Sequence, residues 1–319
     1  MKILNDVVAI IFTYNQEKYI EDSIRSIFLQ TSFPKKLIII DDCSPDKTQE
    51  VICRVLQDKP DSLEVELRFS PENKRVIEQI NSLKGEFEND TLLIFLAGDD
   101  IALPNRIEKL YKRWLSEGKS HVIHSSYVDM NEDKTLLNKH DISGSKPRTL
   151  ENIIDRKIKL CGCTQVISSN VLNLFPGISA SVFAEDRVIV FRGYLLKGLD
   201  IEPEVLLQYR INVGVSYTRR STAEEILESE RGYLIKEISD LQQNLADARF
   251  LHDVISERKI LDRINYLKFI QNHVIGNDND IVKISPKFLF GVFSLKPRYW
   301  CSIFRRVNGF NFLKIDSFK

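Results

Sequence analysis

The sequence predicts an α/β fold: a mostly parallel central sheet with helices on both faces, followed by a helical extension. Three observations carry this. Apolar, β-branched runs alternate with helical-period segments through the first 118 residues. Paired acids stand where two of those runs end. From residue 222 onward, apolar residues recur every seven positions. Alternation of strand and helix builds a parallel sheet covered on both sides.

The elements follow in order. Residues 7–12, VVAIIF, read as a strand buried on both faces. Asn15 is placed to cap the next helix, where Ile20, Ile24, Ile27 and Phe28 share a face. Leu37 to Ile40 form a second buried strand, and Val51, Ile52, Val55 and Leu56 a second helix. LEVELRF, 63–69, alternates as a more exposed strand. Val76, Ile77, Ile80 and Leu83 mark a third helix, and Leu92 to Leu96 a fourth strand. Pro104 opens a helix with Ile107, Leu110, Tyr111 and Trp114 on one face. Beyond it the pattern loosens: a strand HVIHSSYV, a polar loop, a helix over about 184–197 and a strand over 204–210. Leu227, Leu234, Leu241, Ala248 and Ile255, with Ile238 and Leu245 between, then make a long amphipathic helix. It either packs on the preceding domain or pairs, in a hairpin or with a second copy.

Composition narrows the function. Lys plus Arg and Asp plus Glu are both 45 in 319 residues, so the formal net charge is zero. That argues against a nucleic-acid binder, which carries a basic excess. The five cysteines lack zinc spacing and read as reduced thiols of a cytosolic protein. MKILNDVVAIIF lacks the basic start and cleavage site of a signal peptide. The longest apolar runs fall short of the roughly 20 residues that span a bilayer.

In open α/β sheets, ligands bind beyond the carboxyl ends of the strands. There the sequence places Thr13-Tyr14-Asn15, Asp41-Asp42-Cys43-Ser44 and Gly98-Asp99-Asp100. Carboxylates at two strand ends suit a hard divalent cation that shares its shell with substrate phosphates. No Gly-rich dinucleotide turn and no P-loop follows the first strand. His121 and His124 stand three apart in a strand and so face opposite ways. Cys161 and Cys163 share a face if extended, where thiols pack as small hydrophobes.

The segments VVAIIFTYNQEKYIEDSIRSIFLQT, LIIIDDCSPDKT, FLAGDDIALPNRIEKL, AEDRVIVFRGYLLKG and VLLQYRINVGVS stand in one order across 7–218. Together they resemble the family-two glycosyltransferases, nucleotide-sugar-dependent enzymes of the Rossmann-like GT-A fold. The resemblance implies that Thr13, Tyr14, Asn15 and Glu17 hold the nucleotide, with Asp42 at the base and Asp41 beside it. It implies that Asp99 closes the metal-binding D-x-D, with Asp100 next, holding Mn²⁺ or Mg²⁺. Glu185-Asp186 match the acidic pair that supplies the catalytic base, Asp186 being the first choice. Arg210 lies in the closing Tyr-Arg segment, near the diphosphate. Two positions depart from the family pattern: Ala97 replaces the first Asp of D-x-D, and the N-x-G loop reads Asn73-Lys74-Arg75.

The expected partition is a GT-A domain over 1–220, with a nucleotide-sugar half to about 118 and an acceptor half over 119–220. An amphipathic helical segment follows over 221–280, then a tail over 281–319. From 286 on, seven basic residues stand against the single acid Asp316, interleaved with Phe288, Phe290, Phe293, Tyr299, Trp300, Phe304, Phe310, Phe312 and Phe318. Basic and aromatic residues together suit an anionic membrane surface; the bland reading is a subdomain with its aromatics packed inside. The expectation is an inverting transferase of cell-surface polysaccharide synthesis, O-antigen or capsule. A UDP-sugar leads among donors, and the acceptor is a saccharide or a lipid-linked saccharide. The expected location is cytoplasmic, peripheral at the inner face of the cell membrane, with a homo-oligomer contact through the 222–275 helix. A sugar-nucleotide nucleotidyltransferase and a non-catalytic scaffold remain the alternatives.

Overall fold

The run VVAIIF becomes the centre of a longer strand, β1 (Lys2–Thr13), because every side chain from Val7 to Ile11 is buried. Each fully buried Ile or Val contributes about 1.5–3 kcal/mol, so this strand is the energetic axis of the sheet. The computed structural model describes residues 2–213, 223–275, 284 and 286–317. The expected boundaries at 220/221 and 280/281 lie outside the described residues. So do the side chains of Leu227, Lys287, Phe310, Phe312, Lys314, Asp316, Phe318 and Lys319.

After β1 come α1 (Ile20–Phe28), β2 (Ser32–Asp41), α2 (Thr48–Val55), β3 (Glu64–Phe69), α3 (Arg75–Ser82) and β4 (Leu92–Ala97). Then follow β5 (Ile101–Ala102), α4 (Arg106–Ser116), β6 (Val122–Met130), β7 (Leu136–His140) and α5 (Leu150–Ile154). β8 (Val166–Ser168), α6 (Asn170–Leu174), α7 (Glu185–Leu195) and β9 (Leu199–Arg210) complete this part. The strand order is β3-β2-β1-β4-β8-β6-β9-β5, with β7 beside β6. The long strands run parallel: β3, β2, β1 and β4 in one block, β6 and β9 in another. The short strands β5, β7 and β8 pair antiparallel. The chain leaves β1 toward β2 and β3, then returns to place β4 on the other side of β1. That reversal opens a crevice at the carboxyl ends of β1 and β4. Val7, Ala9 and Ile11 join side chains of α1, α2 and α4 in one core, while Val8 and Ile10 are buried on the other face.

Three local expectations change. Asn15 does not cap α1; the cap position is Tyr19, and Asn15 sits at φ 56° with its N–H on Ser44 Oγ. Pro104 stands before the cap Asn105 rather than opening α4, its carbonyl accepting from the Thr31 amide. The heptad helix is one arm of a hairpin, as the sequence allowed, but it stops short of Ile255: α8 (Ala223–Phe250) ends, His252 turns at φ 56°, and Asp253 caps α9 (Val254–Ile270). Ile255 continues the heptads in sequence but is 68% exposed, because the bend removes it from the seam.

The chain divides into two units, one of residues 1–180 and 185–217, the other of 181–184 and 218–319. The second unit holds α8 and α9, then α10 (Pro286–Phe293) and α11 (Trp300–Ser317). Leu234, Ile238, Leu241, Leu245 and Ala248 bury the seam of α8, and Ile260, Ile264 and Leu267 that of α9. Arg263 bridges Glu237 across them at 2.7 and 3.1 Å. The tail divides its aromatics. Phe288 and Tyr299 are buried, Tyr299 stacking on Tyr266 at 4.4 Å, whereas Phe290 and Phe293 are exposed. Asp240 of α8 accepts the amides of Phe183 and Ala184 at 2.7 and 3.2 Å.

Candidate active site

The crevice begins where Phe12 pairs with Ala97 and the Gly98 amide continues onto the Phe12 carbonyl at 2.9 Å. Gly98 is required here. A Cβ at this position would meet Thr13 Oγ1 at 2.7 Å and run into Gln16 Oε1. Thr13 Oγ1 donates to Gln16 Oε1 at 2.9 Å, and Gln16 in turn hydrogen-bonds the Asp99 carboxylate. Ala97, in place of the family's first Asp, ends β4, its carbonyl taken by Ser23 Oγ at 3.1 Å.

The loops after β1 and β2 lock together through polar side chains. The Glu17 amide donates to Asp46 at 3.0 Å, and the Glu17 carboxylate accepts from the Lys47 amide at 2.9 Å. Tyr14 is half-buried, while Asn15 and Glu17 are exposed at the rim. Asp41 is fully buried, accepting from the Ser44 amide and hydroxyl and from Gln49. Asp42 accepts from the Lys74 and Arg75 amides at 2.9 and 2.7 Å and from Gln79 at 2.6 Å. Arg75, where the family carries glycine, adopts φ 66°, so the turn keeps its left-handed backbone with a side chain attached. Three donors on one carboxylate make Asp42 the post to which the α3 turn is tied.

Asp99 and Asp100 part at the end of β4. Asp99 is 9% exposed and Asp100 is fully buried. Burial pushes the Asp99 carboxyl above its ordinary value, and burial with the Asp99 charge beside it pushes Asp100 well above. One oxygen of Asp100 accepts from the Arg210 amide at 3.0 Å; the other has no protein partner among the described residues. Arg106, fully buried at the start of α4, is the nearby cation, its guanidinium drawn down to about 10 by burial. Arg210 is spent on the protein. Its guanidinium donates to the Asp99 carbonyl at 2.9 Å, the Glu132 carbonyl at 2.9 Å and the Asp22 carboxylate at 3.2 Å, and it stacks on Tyr19. It clamps the Asp99 loop to α1 and to the β6–β7 turn.

These residues fit a divalent cation of one kind. Among the described residues no group of three or more His, Cys, Asp or Glu side chains forms a complete cage. An adjacent carboxylate pair desolvated in this way, with one orphaned buried oxygen, suits a cation whose remaining ligands are substrate phosphates and water. Asp99 at the rim is the direct ligand such an ion would find, with Asp100 behind it.

The second half of the site is the segment 161–165. Glu185 and Asp186 open α7 and are partly exposed. Gly162 lies against Asp186: a Cβ there would sit 3.1 Å from the Asp186 Cβ. Gln165, buried, donates to the Asp186 carbonyl at 3.1 Å and stands 3.4 Å from His124 Nε2. His124 Nδ1 lies 3.2 Å from the Cys161 carbonyl, which fixes the donating nitrogen and leaves Nε2 to accept from Gln165. Cys161 feels both Asp186 and Asp100, so this segment stands between the base candidate and the metal loop. Tyr127 hydrogen-bonds Cys161 and packs edge-on to Tyr209 at 5.9 Å; burial raises both phenols. Gln16, Gln165 and Tyr127 did not stand out in the sequence, since single neutral side chains carry no spacing signal; the sequence raises His124 only as a metal ligand beside His121 and sets it aside.

The family model of glycosyl transferase family 2 matches residues 8–171. An uncharacterized glycosyltransferase of Methanocaldococcus jannaschii is 26% identical over 222 residues, 67% of this chain and 73% of that protein. One of Nostoc sp. is 24% identical over 137 residues, 41% of this chain; the chain spans only 39% of that relative's length. Among solved structures, S. aureus TarS 1–349 in complex with UDP matches with TM-score 0.56 at 15% identity, over 99% of this chain and 91% of that one. The mannosyltransferase PcManGT of Pyrobaculum calidifontis, in complex with GDP-Man and Mn²⁺, matches with TM-score 0.51 at 15% identity, over 97% and 87%. At such identity the likeness shows the fold: GT-A, carried into C-terminal helices.

Proposed function

This chain belongs to glycosyl transferase family 2, and from that premise we propose its reaction. It is a glycosyltransferase that moves a sugar from a nucleotide-diphosphate donor to an acceptor hydroxyl, inverting the anomeric carbon. The observation that carries this is the position of segment 161–165, which packs on Asp186 and whose Cys161 lies within electrostatic reach of Asp100. A candidate proton acceptor and a candidate phosphate-side carboxylate thus flank one segment.

Asp186 takes the acceptor's proton as the bond to sugar forms, with Glu185 as the alternative base. Attack from the face opposite the leaving diphosphate inverts the carbon, as in inverting glycosidases. Asp99, with Asp100 behind it, would hold a divalent cation, Mn²⁺ or Mg²⁺, whose charge would be available to the leaving diphosphate. Thr13, Tyr14, Asn15 and Glu17, with Asp41 and Asp42, form the nucleotide side, and Arg210 holds the Asp99 loop in place. TarS is seen with UDP and UDP-GlcNAc, which supports a UDP-sugar donor. The role in O-antigen or capsule synthesis rests on the likeness of the motifs.

The test is thermal unfolding with UDP, GDP, TDP and CMP, each with and without Mn²⁺. A ligand that binds only the folded state raises the midpoint. One nucleotide should do so with metal, and Asp99→Asn should abolish the effect. Asp186→Asn should keep the nucleotide shift and lose about 10²–10⁴ in turnover. No shift with any nucleotide sinks the donor site.

The second unit supports a location at the cytoplasmic membrane face. Among the described residues no helix is long and apolar enough to cross a membrane. Phe290 is 80% exposed and Phe293 54%, close to Lys296 and Arg298. Such a surface docks on anionic lipid, where a lipid-linked acceptor is at hand. Phe250, Val254 and Ile255, exposed at the hairpin bend, supply the homo-oligomer contact. Phe290→Ser/Phe293→Ser should stop sedimentation with phosphatidylglycerol vesicles, and Val254→Asp/Ile255→Asp should halve the mass in light scattering. If both variants behave like the parent, this part of the reading fails.

A further inference from the structure

Two thiols lie together in the segment that supports Asp186. The Cys163 thiol donates to Cys161 with the sulfurs 3.0 Å apart, and one residue, Gly162, separates them. A disulfide needs sulfurs about 2.05 Å apart. The pair therefore stands about 1 Å short of a bond, within one turn of chain. Both cysteines are free and partly exposed. They make no thiophilic metal site, since no group of three or more metal-binding side chains forms among the described residues.

What surrounds them gives the bond a consequence. Gly162 is the residue against which Asp186 rests. The Cys161 carbonyl is pinned by His124, and His124 and the Asp186 carbonyl share the Gln165 amide. The polypeptide that a Cys161–Cys163 bond would tighten is the same polypeptide that seats the base.

We infer that Cys161 and Cys163 are a thiol–disulfide modification site, that small disulfides oxidise them, and that the internal bridge unseats Asp186. The Cys161 sulfur attacks one sulfur of the small disulfide, whose S–S bond breaks and releases a thiolate that takes up the Cys161 proton. Cys163 then attacks the Cys161 sulfur of the mixed disulfide. The second small thiolate leaves and takes up the Cys163 proton. The protein loses two electrons and two protons, and the small disulfide becomes two thiols. The order follows from the surroundings. The hydrogen bond from Cys163 holds the Cys161 thiol below its ordinary value, while burial pushes Cys163 well above. A bridge closed over so few atoms is strained, and strained bridges are the reducible, switchable kind.

The effect on transfer rests on Asp186 as the base; the bridge itself does not. The full chain is treated with oxidised glutathione and digested with trypsin. Residues 160–187 form one peptide whose only cysteines are Cys161 and Cys163. It should become lighter by two hydrogens, resist alkylation and revert with dithiothreitol. Amide hydrogen exchange at 186–189 should accelerate on oxidation, and transfer should fall about tenfold to a hundredfold. Cys163→Ser should stop at a glutathione adduct on Cys161. A wild-type peptide that carries only adducts, or stays unreacted, overturns the site. A bridge that changes neither exchange at 186–189 nor transfer overturns the switch. Reduced protein that transfers nothing counts against the transferase reading instead, and mass and exchange still decide this one.

Discussion

Two glutamines brace the two candidate acids, one at a carboxylate and one at a backbone carbonyl. Gln16 links Thr13 to Asp99, and Gln165 ties the Asp186 carbonyl to His124. His124 makes a pH prediction. Its ring is fully buried and neutral, and burial holds it down at about 3 against an ordinary value of 6.5. Between those values the unfolded chain takes up a proton that the folded chain refuses. This contribution to stability is therefore whole above about 6.5 and shrinks as pH falls toward 3, by about 1.4 kcal/mol per pH unit. The raised carboxyls of Asp99 and Asp100 act in the opposite sense, so the comparison must be between variants. Urea denaturation from pH 6.5 to 4.5 should show a shallower acid loss in His124→Gln than in wild type. Equal slopes would mean that another group titrates. The acids at strand ends were legible in the sequence because strand ends are where open sheets place ligands. The glutamines were not, because Asp99, Asp186 and His124, the partners that give them a role, are remote from them in the chain.

Among elements, legibility followed burial. β1, β2 and β4 announce themselves because β-branched runs have few alternatives when both faces are covered. β7 does not: LLNKH is nearly all exposed and owes its form to β6 alone. β5, two residues long, exists only through β9. Asn15 looked like a cap by identity, but Ser44 captured its amide in a left-handed turn. The heptads of 227–255 identified a helix and concealed its break, since Asp253 is polar in either reading. Asp253 caps α9 through the Ile255 and Ser256 amides at 3.1 and 3.0 Å. Asp253→Ala should cost about 1 kcal/mol. Calorimetry of the two proteins checks this, and an unchanged midpoint would assign the bend to packing alone.

At the level of the whole molecule, the two tryptophans divide between the two units: Trp114 is buried in the first, and Trp300 opens α11 in the second. Each reports one unit. In Trp300→Phe, the remaining fluorescence should follow the first unit and rise in midpoint with nucleotide and Mn²⁺. In Trp114→Phe it should follow the second and stay where it was. Equal shifts in both would mean that the molecule melts as one cooperative body. The division also has a consequence in time. Residues 181–184 are made early, yet the side chain that holds them, Asp240, comes 57 residues after Phe183. At the pace of synthesis, roughly 5–20 residues per second, several seconds separate them. On the ribosome, every strand of the sheet through β9 has been made while the amides of Phe183 and Ala184 still lack their partner. The nascent chain therefore completes its sheet before this short segment finds its partner.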